Sequence, residues 1–193
     1  MPVKNVMLAV HCKQSDAVDL EVPLRQYITN NYGEREAADC NEDLVRVNLM
    51  RKDVINQAGS LPQMRELLSK CVILNAMSIM HVVVRFRYYC ALSMVETRFP
   101  IAKGAGNVEI AFAWQDAFKS NKKTEQHNIH FEKAAILFNL GAVASQLGLQ
   151  CDRTSEDGVK EAAKRFQVQT PSGHPSGIHT MNFLSCSCAA VVC

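Results

Sequence analysis

The stretch that decides the fold runs from residue 131 to residue 148 and reads FEKAAILFNLGAVASQLG. Small side chains are interleaved with large ones along it, as at Leu140 and Gly141. On a helix, small residues let a neighbouring helix come close, and large residues fill the grooves beside them. The stretch therefore predicts a helix, over about residues 126–147, that packs tightly against other helices.

A second helix is predicted directly after this one. The run from Thr154 to Asp157 supplies capping residues for a helix that ends at about Gln167. The Leu140-Gly141 pair, followed in the second helix by Ala162 and Phe166, is typical of a tetratricopeptide hairpin. One such hairpin is visible in the sequence, so periodicity predicts a fragment of a helical solenoid.

Apolar periodicity predicts the other elements. The expected elements are helices over Val22–Tyr32 and Glu34–Asn56, and strands over Val6–Val10 and residues 108–114. We interpret Trp114, Phe118 and the Tyr and Met side chains of residues 88–94 as core. The expected fold is mainly α, a tetratricopeptide-like helical solenoid fragment with a small β-sheet formed by the N-terminal strand and the 108–114 strand.

The composition excludes several classes of protein. Of the 193 residues, 48% are apolar and 21% charged, which is ordinary for a globular protein. The net charge of +2 is too balanced for a surface devoted to nucleic acid. Because the sequence has no long apolar run, no secretion signal, no Asn-x-Ser/Thr and no Cys-x-x-Cys pair, we expect a cytosolic protein with free thiols.

Two segments differ from the rest of the chain. Residues 71–87 are largely uncharged and stand between Lys70 and Tyr88, whose flanking sequences read as one continuous helix when joined. Residues 168–193 are apolar or turn-forming, and all 21 basic and 19 acidic residues lie before them. We interpret residues 1–167 as one domain with an insertion at 71–87, and residues 168–193 as an apolar tail outside that domain.

Five segments follow one another in a distinctive order. They are Asp19–Leu24, Val95–Ile101, Phe112–Phe118, Glu132–Ala142 and Asp152–Gln167. Together they resemble the N-terminal part of the BRO-type domain of ALIX-like endosomal sorting adaptors, and residues 128–133 are similar to plant-type members. The stretch Glu132–Ala142 is similar to the most specific signature of that family.

The resemblance implies a curved, mostly helical body and a non-enzymatic adaptor with no cofactor and no metal. It implies docking on an ESCRT-III filament subunit, with the protein in the cytoplasm and peripheral at endosomes. In the family, the apolar patch for that subunit lies beyond the point where this chain departs from the pattern, so a truncated form without that site is expected. The residues that match the signature are expected to be structural: Trp114, Asp116, Glu132, Lys133, Asn139 and Gly141.

A cluster of lysines is the one candidate for a surface contact. Lys119, Lys122 and Lys123 follow Phe118 closely in a predicted loop. Such a cluster is ordinarily a solvated loop. The alternative is contact with acidic endosomal lipid, which is worth about 1 kcal/mol for each basic residue near the surface.

Other functions are less well supported by the residues. A generic helical-repeat scaffold with an unrelated partner stays open. A Cys–His hydrolase lacks an orienting acid and an oxyanion hole in the sequence. A metal site at His127, His130 and Glu132 is disfavoured because the three do not share one helix face. Gly104-Ala105-Gly106 is interpreted as a loop, because no helix follows to cradle a phosphate.

Overall fold

The computed structural model describes residues 10–64 and 71–167, with side chains described outside residues 57–79. Its elements are helices α1 (Glu21–Tyr32), α2 (Glu34–Asp39), α3 (Asn41–Met64), α4 (Cys71–Glu96), α5 (Ile129–Gln150) and α6 (Glu156–Gln167), with strands β1 (Phe112–Gln115) and β2 (Lys123–Gln126). The fold is mainly helical with a small antiparallel sheet, which confirms the predicted fold class. No helix in the described ranges is both long and apolar enough to cross a membrane.

The helix boundaries agree with the predictions in part. Helix α1 ends at Gly33, whose φ of 107° suits glycine and whose N–H bonds back to the carbonyls of Ile28 and Thr29. The predicted helix over Glu34–Asn56 is instead two helices that meet at Cys40, and the second continues to Met64. Helix α5 begins about three residues later than predicted, because Asn128 caps it by accepting the backbone N–H of His130, and it also ends about three residues later, at Gln150.

The sheet differs from the predicted one in its partner strand. Strand β1 pairs antiparallel with β2, with Trp114 opposite Thr124, and not with an N-terminal strand. The N-terminal segment adds a single bridge between Ser15 and Trp114. The predicted strand over Val6–Val10 lies outside the described residues except for Val10, which is not in a strand.

The predicted strand at 108–114 is also shorter than expected. Val108 and Ile110 are buried and Glu109 is exposed, so the alternation in sequence is real. However, Val108 is held by its N–H bond to the carbonyl of Pro100 and by a bridge to Ile101, not by a strand. The alternation therefore reports which side chains are buried in an extended loop, and regular pairing begins only at Phe112.

Helix α5 is the central helix of the described core. It packs against α4 on one side and α6 on another, and it also contacts β1. Its buried residues lie on several faces: Ile129, Glu132, Ala135, Ile136, Asn139, Leu140, Ala142, Val143, Ala144, Ser145, Leu147 and Gly148. A helix buried on so many sides needs small residues where its neighbours come close, which explains the interleaved pattern of the sequence.

The α5–α6 pair is the predicted helical hairpin. A Cβ atom placed on Gly148 would lie 2.8 Å from the ring of Phe166, so the two helices meet where a side chain is missing. Ala162 is buried at the same interface of α6. The N-terminus of α6 is capped by Ser155, whose Oγ accepts the N–H of Gly158 at 3.2 Å.

Two core predictions need correction. Trp114 is buried as predicted, but Phe118 is 75% exposed, because it lies in the turn beyond the end of β1. In α4, Tyr88 and Leu92 are buried whereas Met94 is 59% exposed. Tyr88 and Leu92 are four residues apart on one helix face, and Met94 lies on a different face.

The segment interpreted as an insertion is helical where the structure describes it. Residues 71–87 form the first part of α4, which continues without a break to Glu96. Residues 65–70, which precede it, and the tail over 168–193 lie outside the described residues.

Candidate functional site

One buried carboxylate joins four elements of the core. Glu132 of α5 is fully buried. Its Oε1 accepts hydrogen bonds from Arg51 Nε at 3.1 Å and Tyr88 OH at 3.0 Å, and its Oε2 accepts one from Trp114 Nε1 at 2.6 Å. An unpaired carboxylate in this position would cost several kcal/mol, since burial removes it from water. We call Glu132, Arg51, Tyr88 and Trp114 the Glu132 network.

Arg51 carries the network toward the N-terminal segment. Its Nη1 donates to the carbonyl of Asp16 at 3.0 Å and its Nη2 to Ser15 Oγ at 2.9 Å. Ser15 Oγ in turn donates to the carbonyl of Ala113 at 2.8 Å. All three guanidinium nitrogens therefore have partners, although the side chain is only 1% exposed.

Burial and the adjacent Glu132 charge raise the pKa of Tyr88 well above its usual value.

An extended segment, residues 10–16, lies along α5 and is held by side chains of that helix. Asn139 accepts the N–H of Lys13 at 2.7 Å and donates to the carbonyl of Lys13 at 3.1 Å. Ser145 Oγ accepts the N–H of Val10 at 3.1 Å, and Gln146 donates to its carbonyl at 2.9 Å. Helix side chains thus satisfy backbone groups that a sheet would otherwise satisfy. We call residues 10–16 the N-terminal strap.

Lys133 joins the end of α4 to the start of α5. Its Nζ lies 2.5 Å from Glu96 Oε2 and 5.1 Å from the centre of the Tyr89 ring. His130 Nδ1 lies 3.1 Å from the other oxygen of Glu96. Gly141 lies further along α5 and is half-buried. The structure therefore brings Trp114, Glu132, Lys133 and Asn139 of the signature into the contacts that hold α5 in place.

Asp116, the remaining signature residue, organises the turn between β1 and β2. Its Oδ1 accepts the backbone N–H groups of Phe118 at 2.8 Å and Lys119 at 2.9 Å, and these bonds lower the pKa of its carboxyl. Its own N–H donates to the carbonyl of Lys122 at 2.8 Å. The turn is therefore held in one shape by backbone bonds at both ends.

The turn between β1 and β2 exposes an aromatic ring and several lysine side chains. Phe118 is 75% exposed, and Lys119, Lys122 and Lys123 are exposed as well. Lys123 forms an ion pair with Asp16. No carboxylate in the described chain forms an ion pair with Lys119 or Lys122. We call Phe118, Lys119 and Lys122 the hairpin tip.

The alternative sites find no support in the described residues. Glu132 is engaged in the core network and His130 pairs with Glu96, so neither faces a shared site with His127. Over residues 10–64 and 71–167, no three His, Cys, Asp or Glu side chains come together as metal ligands would. Gly104 and Gly106 adopt positive φ angles in a loop, as expected of glycines there.

Sequence reasoning missed the buried cations. Arg51 lies in the same apolar stripe of α3 as Leu44 and Val54, and a charge within such a stripe is the signal that could have found it. Its carboxylate partner is 81 residues away in the chain, so no local pattern identifies the pair.

A second buried cation lies in α4. Arg85 is fully buried, and its Nη1 donates to the carbonyl of His81 at 3.1 Å. Its Nε and Nη2, and the Nδ1 of His81, are buried and have no hydrogen-bond partner among the described residues. Burial lowers the pKa of Arg85, and burial together with the Arg85 charge lowers the pKa of His81 to about 4. Nearby, burial raises the pKa of the Cys12 thiol.

Comparison with known proteins places this architecture in a family. The family model of the BRO1-like domain matches residues 7–169. The chain is 42% identical over 167 residues to the vacuolar-sorting protein BRO1 of Arabidopsis thaliana, a match that covers 86% of this chain and 18% of that protein. It is 30% identical over 195 residues to the ALG-2 interacting protein X of Dictyostelium discoideum, covering 96% of this chain and 22% of that protein.

A solved structure of a BRO1 domain has a similar fold. The complex of the ALIX BRO1 domain with CHMP4C superposes with a TM-score of 0.62 and 25% identity, over 83% of this chain and 42% of that chain. The chain therefore belongs to the BRO1-like domain family, as its sequence motifs predict. It spans about a fifth of the length of the two relatives named above.

Proposed function

We propose that this chain is a protein-binding part of an adaptor in endosomal sorting and vacuolar protein transport, acting in the cytoplasm and peripherally at endosomes. The observation that carries the proposal is the BRO1-like match over residues 7–169. The relative from Arabidopsis thaliana bears the name of a vacuolar-sorting protein. The Glu132 network agrees with a scaffold role, because its polar atoms are used up in holding helices together.

An ESCRT-III subunit is the proposed partner of the longer protein. The structurally similar ALIX BRO1 domain was solved with CHMP4C, and this chain matches 42% of that chain. We propose that the apolar patch for such a subunit is not formed by residues 1–167. Docking an amphipathic helix needs a preformed groove between packed helices, and half a solenoid does not supply all of them.

The test is a binding measurement with the C-terminal helix of an ESCRT-III subunit. Calorimetry should show weak or no binding to the 193-residue chain, and micromolar binding to the whole BRO1 domain of the Arabidopsis relative as the reference. Micromolar binding to the 193-residue chain would overturn the proposed position of the patch. Absence of binding to both would count against the ESCRT-III partner in this branch of the family.

We propose that the chain does not catalyse a reaction. Cys12 and His81, whose pKa values are shifted, both lie beside the Arg85 guanidinium, and no carboxylate contributes to either shift. A reactive cysteine nucleophile has a lowered thiol pKa, whereas burial raises the pKa of Cys12. Labelling with a thiol-reactive probe should therefore give no cysteine that reacts far faster than the others, and one such cysteine would favour a hydrolase.

The hairpin tip supports a second proposal, contact with an acidic membrane surface. The exposed ring at Phe118 and the exposed cations at Lys119 and Lys122, which form no ion pair within the described residues, combine an apolar anchor with electrostatic attraction. The chain should co-sediment with vesicles that contain about a third phosphatidylserine, and it should not co-sediment with phosphatidylcholine vesicles. Lys119→Glu with Lys122→Glu should abolish sedimentation, while Lys103→Glu, in a different exposed loop, should leave it unchanged.

We also propose that residues 71–87 are an insertion into a family helix and that residues 168–193 lie outside the domain. Arg85 supports the first part, since a native core seldom buries a cation with two unpartnered nitrogens. Deletion of residues 71–87 should raise the soluble yield, because it removes this cation from the core. Unchanged or lower soluble yield would count against the insertion.

A further inference from the structure

A groove on the outer side of α3 and α4 is separate from the Glu132 network and from the hairpin tip. It has a volume of about 220 Å³, is open to solvent on one side, and is lined by Arg46, Leu49, Met50, Asp53, Val84 and Arg87. A cavity of about 150 Å³ is enough to hold a benzene molecule. The groove therefore has room for one large apolar side chain of a partner.

The floor of the groove is apolar and open to solvent. Leu49 of α3 is 52% exposed, and Met50 and Val84 are half-buried beside it. Met80 is 58% exposed and lies one turn before Val84 on the same face of α4, so it prolongs the apolar strip. Methionine side chains adapt to the shape of a bound apolar group, which suits a docking surface.

The rim of the groove carries more positive than negative charge. Arg46 comes from α3 and Arg87 from α4, and Asp53 is the single acidic residue of the lining. Arg46 has a long, exposed ion pair with Asp43 at 3.4 Å, which contributes little, and no described carboxylate pairs with Arg87. Both guanidinium groups are thus available to carboxylates of a partner.

We propose that this groove binds an amphipathic helix of another protein, one whose apolar face is flanked by acidic residues. A leucine-sized side chain would fill the space over Leu49 and Val84, and carboxylates would pair with Arg46 and Arg87. A flat lipid surface fits less well, because the apolar floor lies in a concave groove that also contains Asp53. The α4 side of the groove comes from residues 71–87, so the site depends on that segment.

The test uses the full chain and three labelled peptides of about 20 residues. One has a helical leucine stripe flanked by Glu, the second has the same stripe flanked by Lys, and the third is a scrambled version of the first. Fluorescence anisotropy should give micromolar binding of the Glu-flanked peptide only. Leu49→Ser and Arg87→Glu should each weaken that binding at least tenfold.

The matched control is Leu137→Ser, which removes a 40% exposed leucine of α5 outside the groove and should leave binding unchanged. Arg46→Glu with Arg87→Glu should transfer binding to the Lys-flanked peptide. Thermal melts must show that each variant is folded, and the charge-reversed pair keeps the test decisive if Leu49→Ser does not fold.

Several results would overturn the proposal. The proposal fails if the Glu-flanked peptide does not bind or if all three peptides bind equally. It also fails if Leu137→Ser weakens peptide binding as much as Leu49→Ser does. A dimer that Leu49→Ser abolishes would assign the groove to a second copy of the chain, and vesicle binding lost in Leu49→Ser would assign it to lipid. Leu49→Ser also separates this proposal from the ESCRT-III measurement. Binding of the ESCRT-III helix to the 193-residue chain that Leu49→Ser abolishes would belong to this groove, whereas the same binding unchanged in Leu49→Ser would overturn the proposed position of the ESCRT-III patch.

Discussion

The indole Nε1 of Trp114 donates a hydrogen bond of 2.6 Å to Glu132 Oε2, and both side chains are buried. Trp114 belongs to β1 and Glu132 to α5, so this bond fixes the small sheet against the central helix. The other oxygen of Glu132 binds Arg51 and Tyr88. One carboxylate therefore sets the relative position of a strand and three helices.

Removal of this carboxylate should be strongly destabilising. Glu132→Leu leaves Arg51 buried without its charge partner, and we expect a loss of about 3–5 kcal/mol in the free energy of unfolding. Urea denaturation followed by circular dichroism measures this loss. Glu125→Leu, at an exposed position of β2, is the control and should change stability by less than about 0.5 kcal/mol. Adding Arg51→Met to Glu132→Leu should recover part of the loss, and an additive further loss would contradict the pairing.

Replacement of Arg85, in contrast, should raise the stability of the protein. Arg85→Met keeps a long side chain and removes two buried nitrogens, Nε and Nη2, that have no partner among the described residues, so stability should rise by about 1–3 kcal/mol. Differential scanning fluorimetry of the two proteins gives the change in melting temperature. Arg87→Met, at an exposed position two residues away, should have little effect. A lower melting temperature for Arg85→Met would mean that these nitrogens are satisfied in solution.

His81 predicts a pH dependence of stability. Its pKa falls from an ordinary value of 6.5 in the unfolded chain to about 4 in the folded chain. Between these values the unfolded chain binds more protons, so stability should fall as the pH is lowered from 6.5 to 4. The loss is at most about 3.5 kcal/mol, since one pKa unit corresponds to about 1.4 kcal/mol. Urea midpoints measured across this range should vary less in His81→Phe, and an unchanged slope would contradict this role of His81.

Gly148 should not tolerate a side chain. Gly148→Ala places a methyl group 2.8 Å from the Phe166 ring, so the α5–α6 pair must separate or the ring must move. We expect a loss of about 1–3 kcal/mol, as for other overpacked sites, measured by urea denaturation. In a Phe166→Leu background the same change should cost clearly less. An equal cost in both backgrounds would show that the contact with Phe166 is not the cause.

Asn139 is expected to hold the N-terminal strap. Asn139→Leu removes both hydrogen bonds to the backbone of Lys13, so hydrogen exchange of that amide should become much faster. Amides of α6, which the strap bonds do not involve, should keep their protection and serve as the internal control. Unchanged exchange at Lys13 would show that other contacts hold the strap.

The sequence predicts the elements that depend on local patterns. The α5–α6 hairpin could be read from small residues and capping signals near Gly141 and Ser155, because both act within a few residues. The exposure of Phe118 could not be predicted from the sequence, since it depends on the direction that the chain takes in the turn at Asp116. The Glu132–Arg51 pair could not either, because its members are 81 residues apart and only the fold brings them together.

The N-terminal strap also has a consequence for synthesis of the chain on the ribosome. Val10 bonds to Ser145 and Gln146, which are 135 and 136 residues further along. Residue 10 therefore leaves the ribosome long before these two partners have been translated. The α5-bound end of the strap cannot be fixed while only α1 to α4 have emerged, whereas Arg51 and Trp114 can already hold its other end at Ser15.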